Sequence, residues 1–245
     1  MSTAEVIDYE EHWSSSVETY ESHPTSRHRR RFVMSCLSGI HPRPGMFVFD
    51  YGSGAGLLLG QIQSRFGMPE MDFGGCDISL AGIEAARKRL PGATFIAGEF
   101  PALERGIDIA ITSEVIEHTA QYREVLAWLA DHMKSGADLI ITTPGATLDP
   151  PDHYYGHIQH FTLEHLGEVL GELGFTICTA RYWGFPFFTL QKWVTKRNFD
   201  RIRDQYMHGE LNLKKKAIFA LTYYTYFVHD LFPKGPQIFI HARKK

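Results

Sequence analysis

Cysteine is scarce in this chain: Cys36, Cys76 and Cys178 are the three in 245 residues. An odd number of widely spaced thiols is no disulfide framework, and two of them fall in stretches that read as strands. They are expected to be reduced core thiols in a cytosolic compartment. Long apolar runs are missing too. None reaches the length of a bilayer crossing and the acidic N-terminus has no apolar signal core, so a cytoplasmic protein without a membrane span is expected. Nor is charge of one sign in excess: Lys and Arg number 25 against 28 Asp and Glu, a net charge of −3. That gives no whole-chain basic field to hold nucleic acid, so a nucleic-acid partner is not expected. No repeat or low-complexity tract appears. What is there, 44% hydrophobic and 13% aromatic residues, suits one substantial core with a small appendage.

The most informative stretch is Phe47-Val48-Phe49-Asp50-Tyr51-Gly52-Ser53-Gly54-Ala55-Gly56. An apolar strand runs into an acid and a Gly-x-Gly-x-Gly turn, and the helix-prone run Leu57 to Phe66 follows, which is how an α/β fold builds a nucleotide-sized pocket. Glycines serve there because the backbone takes positive φ and approaches a ligand closely. The spacing is not the dinucleotide fingerprint, whose third glycine would fall at Leu57. Asp50 would repel a pyrophosphate and suits a cationic ligand.

Further strand-end signals follow in order. Met71 to Cys76 ends in Asp77, about 20 residues past the turn, where an acid can accept ribose hydroxyls. Ala93 to Ala97 precedes Gly98-Glu99-Phe100, Ile107 to Thr112 leads into Ser113-Glu114-Val115-Ile116-Glu117-His118, and Asp138 to Thr143 ends in Thr143-Pro144-Gly145. Taken singly, the turn could be structural and Asp77 could cap the helix near Leu80. Together they resemble the motifs of class I S-adenosylmethionine-dependent methyltransferases, over roughly Met46 to Ala180. The resemblance implies Asp50, Gly52, Gly54 and Gly56 beside the amino-acid part of the cofactor and Asp77 and Ile78 at the ribose. It puts Glu99 and Phe100 at the adenine, and Ser113 and Glu114 at the facing edge.

Alternating strand and helix patterns from Met46 to Gly174 predict a doubly wound, mainly parallel sheet with helices on both faces. Helices are readable at Leu80 to Leu90, Tyr122 to Met133 and Leu163 to Leu173, the last with Thr162 as N-cap and Gly174 at its end. Phe175 to Tyr182 and Pro236 to Ala242 read as strands. In the resembled family, a Rossmann-like α/β class with seven strands, the last strand is antiparallel and lies between the two before it. The expected layout is an N-terminal helical arm or lid over 1–45, broken near Pro24 and too polar to be core; a cofactor-binding core over 46–182; a helical insertion over 183–234; and the last strand over 235–245. The insertion's rings, among them Phe185, Phe187, Trp193, Tyr223 and Tyr224, could line an apolar substrate site, contact a membrane surface, join the segment to the sheet or form a homodimer interface. The sequence leaves these open.

Methyl transfer from a sulfonium asks the protein to align nucleophile, methyl and sulfur and to exclude water. A hydroxyl acceptor also needs a base, and histidine has the pKa for it. His118 follows the fourth strand, and His153, His157 and His160 follow the fifth at the same sheet edge. The expected catalytic residues are His118, His157 and His160. The Glu114-x-x-Glu117-His118 segment also resembles ubiquinone-biosynthesis O-methyltransferases and small-RNA 2′-O-methyltransferases. By that resemblance a divalent metal would be held by Glu114, Glu117, His118 and His160, and this donor set suits Mn²⁺, Fe²⁺ or Co²⁺ better than Mg²⁺. The first expectation is catalysis without a metal.

The cluster Arg27-His28-Arg29-Arg30-Arg31 points several ways on a helix, suiting a substrate carboxylate or phosphate, or solvent. The reading is a biosynthetic S-adenosylmethionine-dependent O-methyltransferase acting on a small hydroxylated metabolite. The alternatives are N-methylation of an amino sugar or amine, metal-assisted RNA 2′-O-methylation, and a non-catalytic S-adenosylmethionine-binding module.

Overall fold

A computed structural model of the chain describes residues 10, 17–67, 70–199 and 211–245. Most of the first 16 residues of the expected arm, and 200–210 of the expected insertion, lie outside the described residues. In chain order the elements are α1 (Val17–Ser22), α2 (Pro24–Ile40), β1 (Phe47–Tyr51), α3 (Leu57–Phe66), β2 (Asp72–Asp77), α4 (Leu80–Arg89), β3 (Thr94–Ala97) and β4 (Ile107–Ser113). A 3₁₀ turn at Ile116–His118 leads to α5 (Tyr122–His132), β5 (Met133–Pro144), α6 (Pro150–Tyr154), α7 (Leu163–Glu172) and β6 (Phe175–Trp183). Then come α8 (Phe187–Arg197), α9 (Leu213–Thr225), a second 3₁₀ turn at Tyr226–Leu231 and β7 (Gln237–Lys244).

The seven strands form one sheet in the order β3-β2-β1-β4-β5-β7-β6. β7 runs antiparallel to β5 on one side and to β6 on the other, while β1 to β5 pair in parallel. This is the doubly wound α/β arrangement expected from the alternating pattern, with the last strand in its expected place. β1 is buried along its length because each face meets a helical layer. Phe47, Phe49 and Tyr51 join the cluster under α5 and α7, whereas Val48 joins Ile109, Ile111 and Phe239 under α2, α3 and α4. The order reverses between β1 and β4, so their carboxyl ends open a crevice where a ligand can sit.

Two expectations are corrected. The chain before residue 45 is not too polar to be core, because α2 buries Phe32, Val33 and Leu37 in the cluster beside Phe239, whose ring stacks on Phe32 at 4.6 Å. The helix is amphipathic, and its arginines hid an inner face a few residues wide. Nor are all three cysteines core thiols: Cys76 is buried, Cys36 half-buried and Cys178 exposed, the last because β6 is the edge of the sheet.

Candidate active site

The turn after β1 folds back on β2. The N–H groups of Gly52 and Ser53 both donate to the Cys76 carbonyl, at 2.8 and 2.9 Å. Gly52, Gly54 and Gly56 all have positive φ, at 78°, 48° and 69°. Gly52 is needed twice over, since a Cβ there would lie 2.2 Å from Val115 Cγ2. Asp77 locks the turn from across the crevice: its Oδ2 accepts the Gly54 N–H at 2.8 Å and its Oδ1 the Ser79 N–H at 2.9 Å. Each oxygen keeps a lone pair for a further donor. Ser79, not Asp77, is the N-cap of α4, accepting from Gly82 N–H.

Asp50 is buried beneath the turn. Burial first, and the Asp77 charge second, push its carboxyl well above the usual carboxylate range. A buried acid next to a second acid is poised for a cation, whose arrival would return it to the charged form. Beyond Asp77 and beside Glu99, the apolar side chains of Ile78 and Phe100 are exposed at the ends of β2 and β3. Glu10 reaches the same edge, accepting the Leu80 and Ala81 N–H groups at 2.8 and 2.9 Å.

At the facing edge, the loop after β5 is stitched to the turn after β4. Ile158 N–H donates to the Glu117 carbonyl at 3.0 Å, and Gln159 Nε2 donates to the Thr119 carbonyl at 2.6 Å. The stitching brings three histidines together. The His118 and His157 rings meet edge to face at 4.7 Å, and His157 Nδ1 lies 2.9 Å from His160 Nε2. A carbonyl only accepts, so His160 Nδ1, 2.6 Å from the Ala146 oxygen, carries a proton and His160 Nε2 must accept. His157 therefore donates from Nδ1 and keeps a lone pair on Nε2. Burial lowers the pKa of all three, that of His157 to about 2 with help from the neighbouring histidines and from Lys192 and Arg29. Asp152 lies 3.8 Å from His157 Nδ1 and 4.0 Å from His160 Nε2, and Lys192 of α8 donates to both its oxygens at 3.0 and 3.1 Å.

Glu117 is fully buried. Its Oε2 accepts from Thr143 Oγ1 at 3.0 Å, while its Oε1 has no hydrogen-bond partner among the described residues and lies 4.0 Å from His118 Nε2. Burial, and then Glu114, push its carboxyl well above the usual range. Glu114 has φ of 60° and turns its carboxylate to Arg29, at 3.1 Å, and to Thr142 and Gln237, at 3.0 and 2.7 Å. Ser113 Oγ is hydrogen-bonded to Thr142 Oγ1 at 2.8 Å.

A family model described as a methyltransferase domain matches residues 26–180. The chain belongs to the methyltransferase-domain family. The cofactor of this methyltransferase is S-adenosylmethionine, and the residues present fit it: a turn that admits no Cβ at Gly52, an acid with lone pairs to spare, exposed apolar side chains for the base, and the buried Asp50 for the cationic end. The chain is 30% identical over 132 residues to a Streptomyces fradiae protein named as an uncharacterized 37.1 kDa protein in transposon TN4556. The match takes in 50% of this chain and 38% of that one, so the chain spans well under half of that relative. In fold, it resembles the Haloferax volcanii chain solved in complex with the Trm112 methyltransferase activator, with TM-score 0.63, 12% identity and coverage of 96% and 97% of the two chains. It also resembles Haemonchus contortus phosphoethanolamine N-methyltransferase 2 in complex with S-adenosyl-L-methionine, with TM-score 0.60, 16% identity and coverage of 98% and 60%.

The residues named from sequence fall into two groups in space. Asp50, the three glycines, Asp77, Ile78, Glu99 and Phe100 surround the crevice at β1 to β3, and Glu114, Glu117, His118, His157 and His160 gather at β4 and β5. Within the second group the ligand atoms that come within 4.8 Å of one another are those of Glu117, His118 and His157, and separately those of Asp152, His157 and His160. Glu114 belongs to neither group and is paired with Arg29. Sequence reasoning missed Asp152, Lys192 and Gln237, and it placed Arg29 in a cluster without a partner. The Asp-Pro-Pro-Asp spacing was a readable signal for Asp152, whose carboxylate accepts the Asp149 N–H at 2.9 Å in the capping box of α6. Nothing local marks the other three.

Proposed function

We propose that this methyltransferase transfers the methyl group to an oxygen of a small hydroxylated metabolite, with His157 accepting the hydroxyl proton. The observation that carries the reading is the hydrogen-bond chain from His157 through His160 to the Ala146 carbonyl, which fixes the His157 tautomer and leaves its Nε2 free to accept. S-adenosylmethionine supplies a methyl group on a positively charged sulfur. The protein's part is to align the acceptor, exclude water and receive one proton. Burial and the neighbouring cations keep His157 neutral in the resting site, so its Nε2 lone pair is available, and the proton it takes has to be shared with groups that favour the charge. Once the proton is on Nε2, Asp152 at 3.8 Å favours the imidazolium, and the Nδ1 proton can pass to His160 Nε2. The whole unit then carries the charge rather than one ring.

The test is incubation of the purified protein with methyl-deuterated S-adenosylmethionine and a panel of phenols, catechols and hexoses, each beside its amine analogue. The expected result is label on hydroxyl compounds, with turnover reduced about 10²- to 10⁴-fold in His157→Gln, the usual range for loss of a general base. Label on amines alone, undiminished in His157→Gln, would overturn it.

A second reading rests on Glu117. Its Oε1, without a hydrogen-bond partner among the described residues, groups with ligand atoms of His118 and His157, and one carboxylate with two imidazoles suits Mn²⁺, Fe²⁺ or Co²⁺. A bound cation there would supply the Lewis acidity that lowers a hydroxyl pKa. Turnover that survives exhaustive chelation unchanged would remove this reading and leave the first.

A further inference from the structure

The insertion after β6 has an unusual outer surface. Of the 17 exposed large hydrophobic side chains among the described residues, 12 lie between Phe185 and Phe232. They are ordered by helical spacing. α8 turns Phe188, Lys192 and Thr195 inward, where Phe188 meets Trp183 and Tyr226 at 6.1 Å, and turns Leu190, Trp193 and Val194 outward. α9 buries Lys215 and Phe219 and turns Ile218, Leu221 and Tyr224 outward. A surface helix ordinarily presents its polar face to water. Here both helices already have an inner face on the fold and carry a second apolar stripe, with Leu190 56% and Leu221 71% exposed.

The charge of this segment is equally distinct. Residues 183–234 contain nine Lys and Arg against four Asp and Glu, in a chain whose net charge is −3. The basic residues border the stripes: Lys196, paired with Asp149, and Arg197 close α8, with the Arg197 guanidinium 3.7 Å over the Trp193 ring, and Lys214 and Lys216, the latter paired with Glu18 at 3.0 Å, open α9. An outward apolar stripe edged by Lys and Arg, with a tryptophan at the border, matches the chemistry of an anionic bilayer surface. Protein–protein interfaces are depleted of Lys as well as of Asp and Glu, whereas lysines border these stripes. No helix among the described residues is long and apolar enough to cross a membrane, which agrees with a helix pair that lies on one.

We infer that the outer faces of α8 and α9 dock this methyltransferase onto membranes containing anionic lipid, which places its acceptor edge, tied to α8 through Lys192 and Asp152, next to the lipid surface. The experiment is co-sedimentation of the full chain with vesicles of phosphatidylcholine plus phosphatidylglycerol and with vesicles of phosphatidylcholine alone. A Leu190→Glu/Leu221→Glu variant is run beside it, with size-exclusion light scattering of both proteins. Titration with S-adenosylhomocysteine shows that the variant is folded. The expected result is binding to the anionic vesicles that falls with added salt and weakens more than about tenfold in the variant. Three results would overturn the inference: no vesicle binding in a protein that forms dimers which the variant dissolves, so that a second copy covers the stripes; no vesicle binding in a monomer; or vesicle binding undiminished in the variant.

Discussion

Arg29 Nη1 and Glu114 Oε2 lie 3.1 Å apart and join α2, from the beginning of the chain, to the end of β4, at the sheet edge that carries His118, His157 and His160. Both side chains are nearly buried. Glu114 is further held by Thr142 and Gln237, so three distant segments, α2, β5 and β7, converge on one carboxylate. The same helix sends Arg31 to Asp230 at 2.7 Å and His28 to the Tyr223 carbonyl at 2.9 Å. α2 thus braces the end of β4 and the insertion together.

Removing one partner of that pair strands the other. Arg29→Met is expected to cost about 3 kcal/mol, since it leaves Glu114 buried without its cation. The double variant Arg29→Met/Glu114→Gln should recover part of the loss. Urea unfolding of these two variants and of Glu114→Gln checks it, and strictly additive losses would show that the pair contributes no coupling.

Gly52→Ala meets two obstacles, the positive φ and the 2.2 Å approach to Val115. The expected cost is about 2–4 kcal/mol, from backbone strain and overpacking combined. Gly52→Ala/Val115→Ala relieves only the packing part, so it should unfold at higher urea than Gly52→Ala alone. Equal midpoints would mean that the strain, not the clash, dominates.

Stability should fall on mild acidification. His28 and His229 are fully buried, and burial lowers each from 6.5 to about 4. His28 donates from Nε2 to Tyr223, and His229 Nε2 accepts the Phe187 and Phe188 N–H groups at 3.2 and 3.4 Å. Between pH 6.5 and 4 the unfolded chain binds these protons and the folded chain does not. Their stabilising contribution is therefore complete above pH 6.5 and drains away toward pH 4, at up to about 1.4 kcal/mol per pH unit for each ring. Thermal melting from pH 7.5 to 5 in the wild type and in His28→Gln reads this out, with the shallower slope expected in the variant.

Features that rest on local backbone demands were readable in the sequence. The turn at Gly52, the acid Asp77 that ends β2, and Thr162, whose side chain accepts the His165 N–H at 3.1 Å, announce themselves by residue type and position. The convergence of His118 with His157 and His160 was readable from topology, because both segments leave the same edge of the sheet. Features that rest on tertiary approach were not. α2 reads as polar because its inner face is narrow, and nothing near Arg29 in the chain points to Glu114, 85 residues away. The insertion's rings illustrate both cases: Trp183 and Tyr226 join the helices to the sheet, while Trp193 and Tyr224 face outward, a division set by the fold and not by composition.

The central claim is that the crevice at β1 and β2 holds the cofactor through Asp77 and the glycine turn. Calorimetric titration with S-adenosylhomocysteine of the wild type and Asp77→Ala, both shown to be folded, tests it most directly. The expected result is binding in the micromolar range that weakens more than about tenfold in the variant, as loss of a charge-assisted hydrogen-bond acceptor entails. Equal affinity in the two proteins, or no heat in a folded wild type, would contradict the assignment of this crevice.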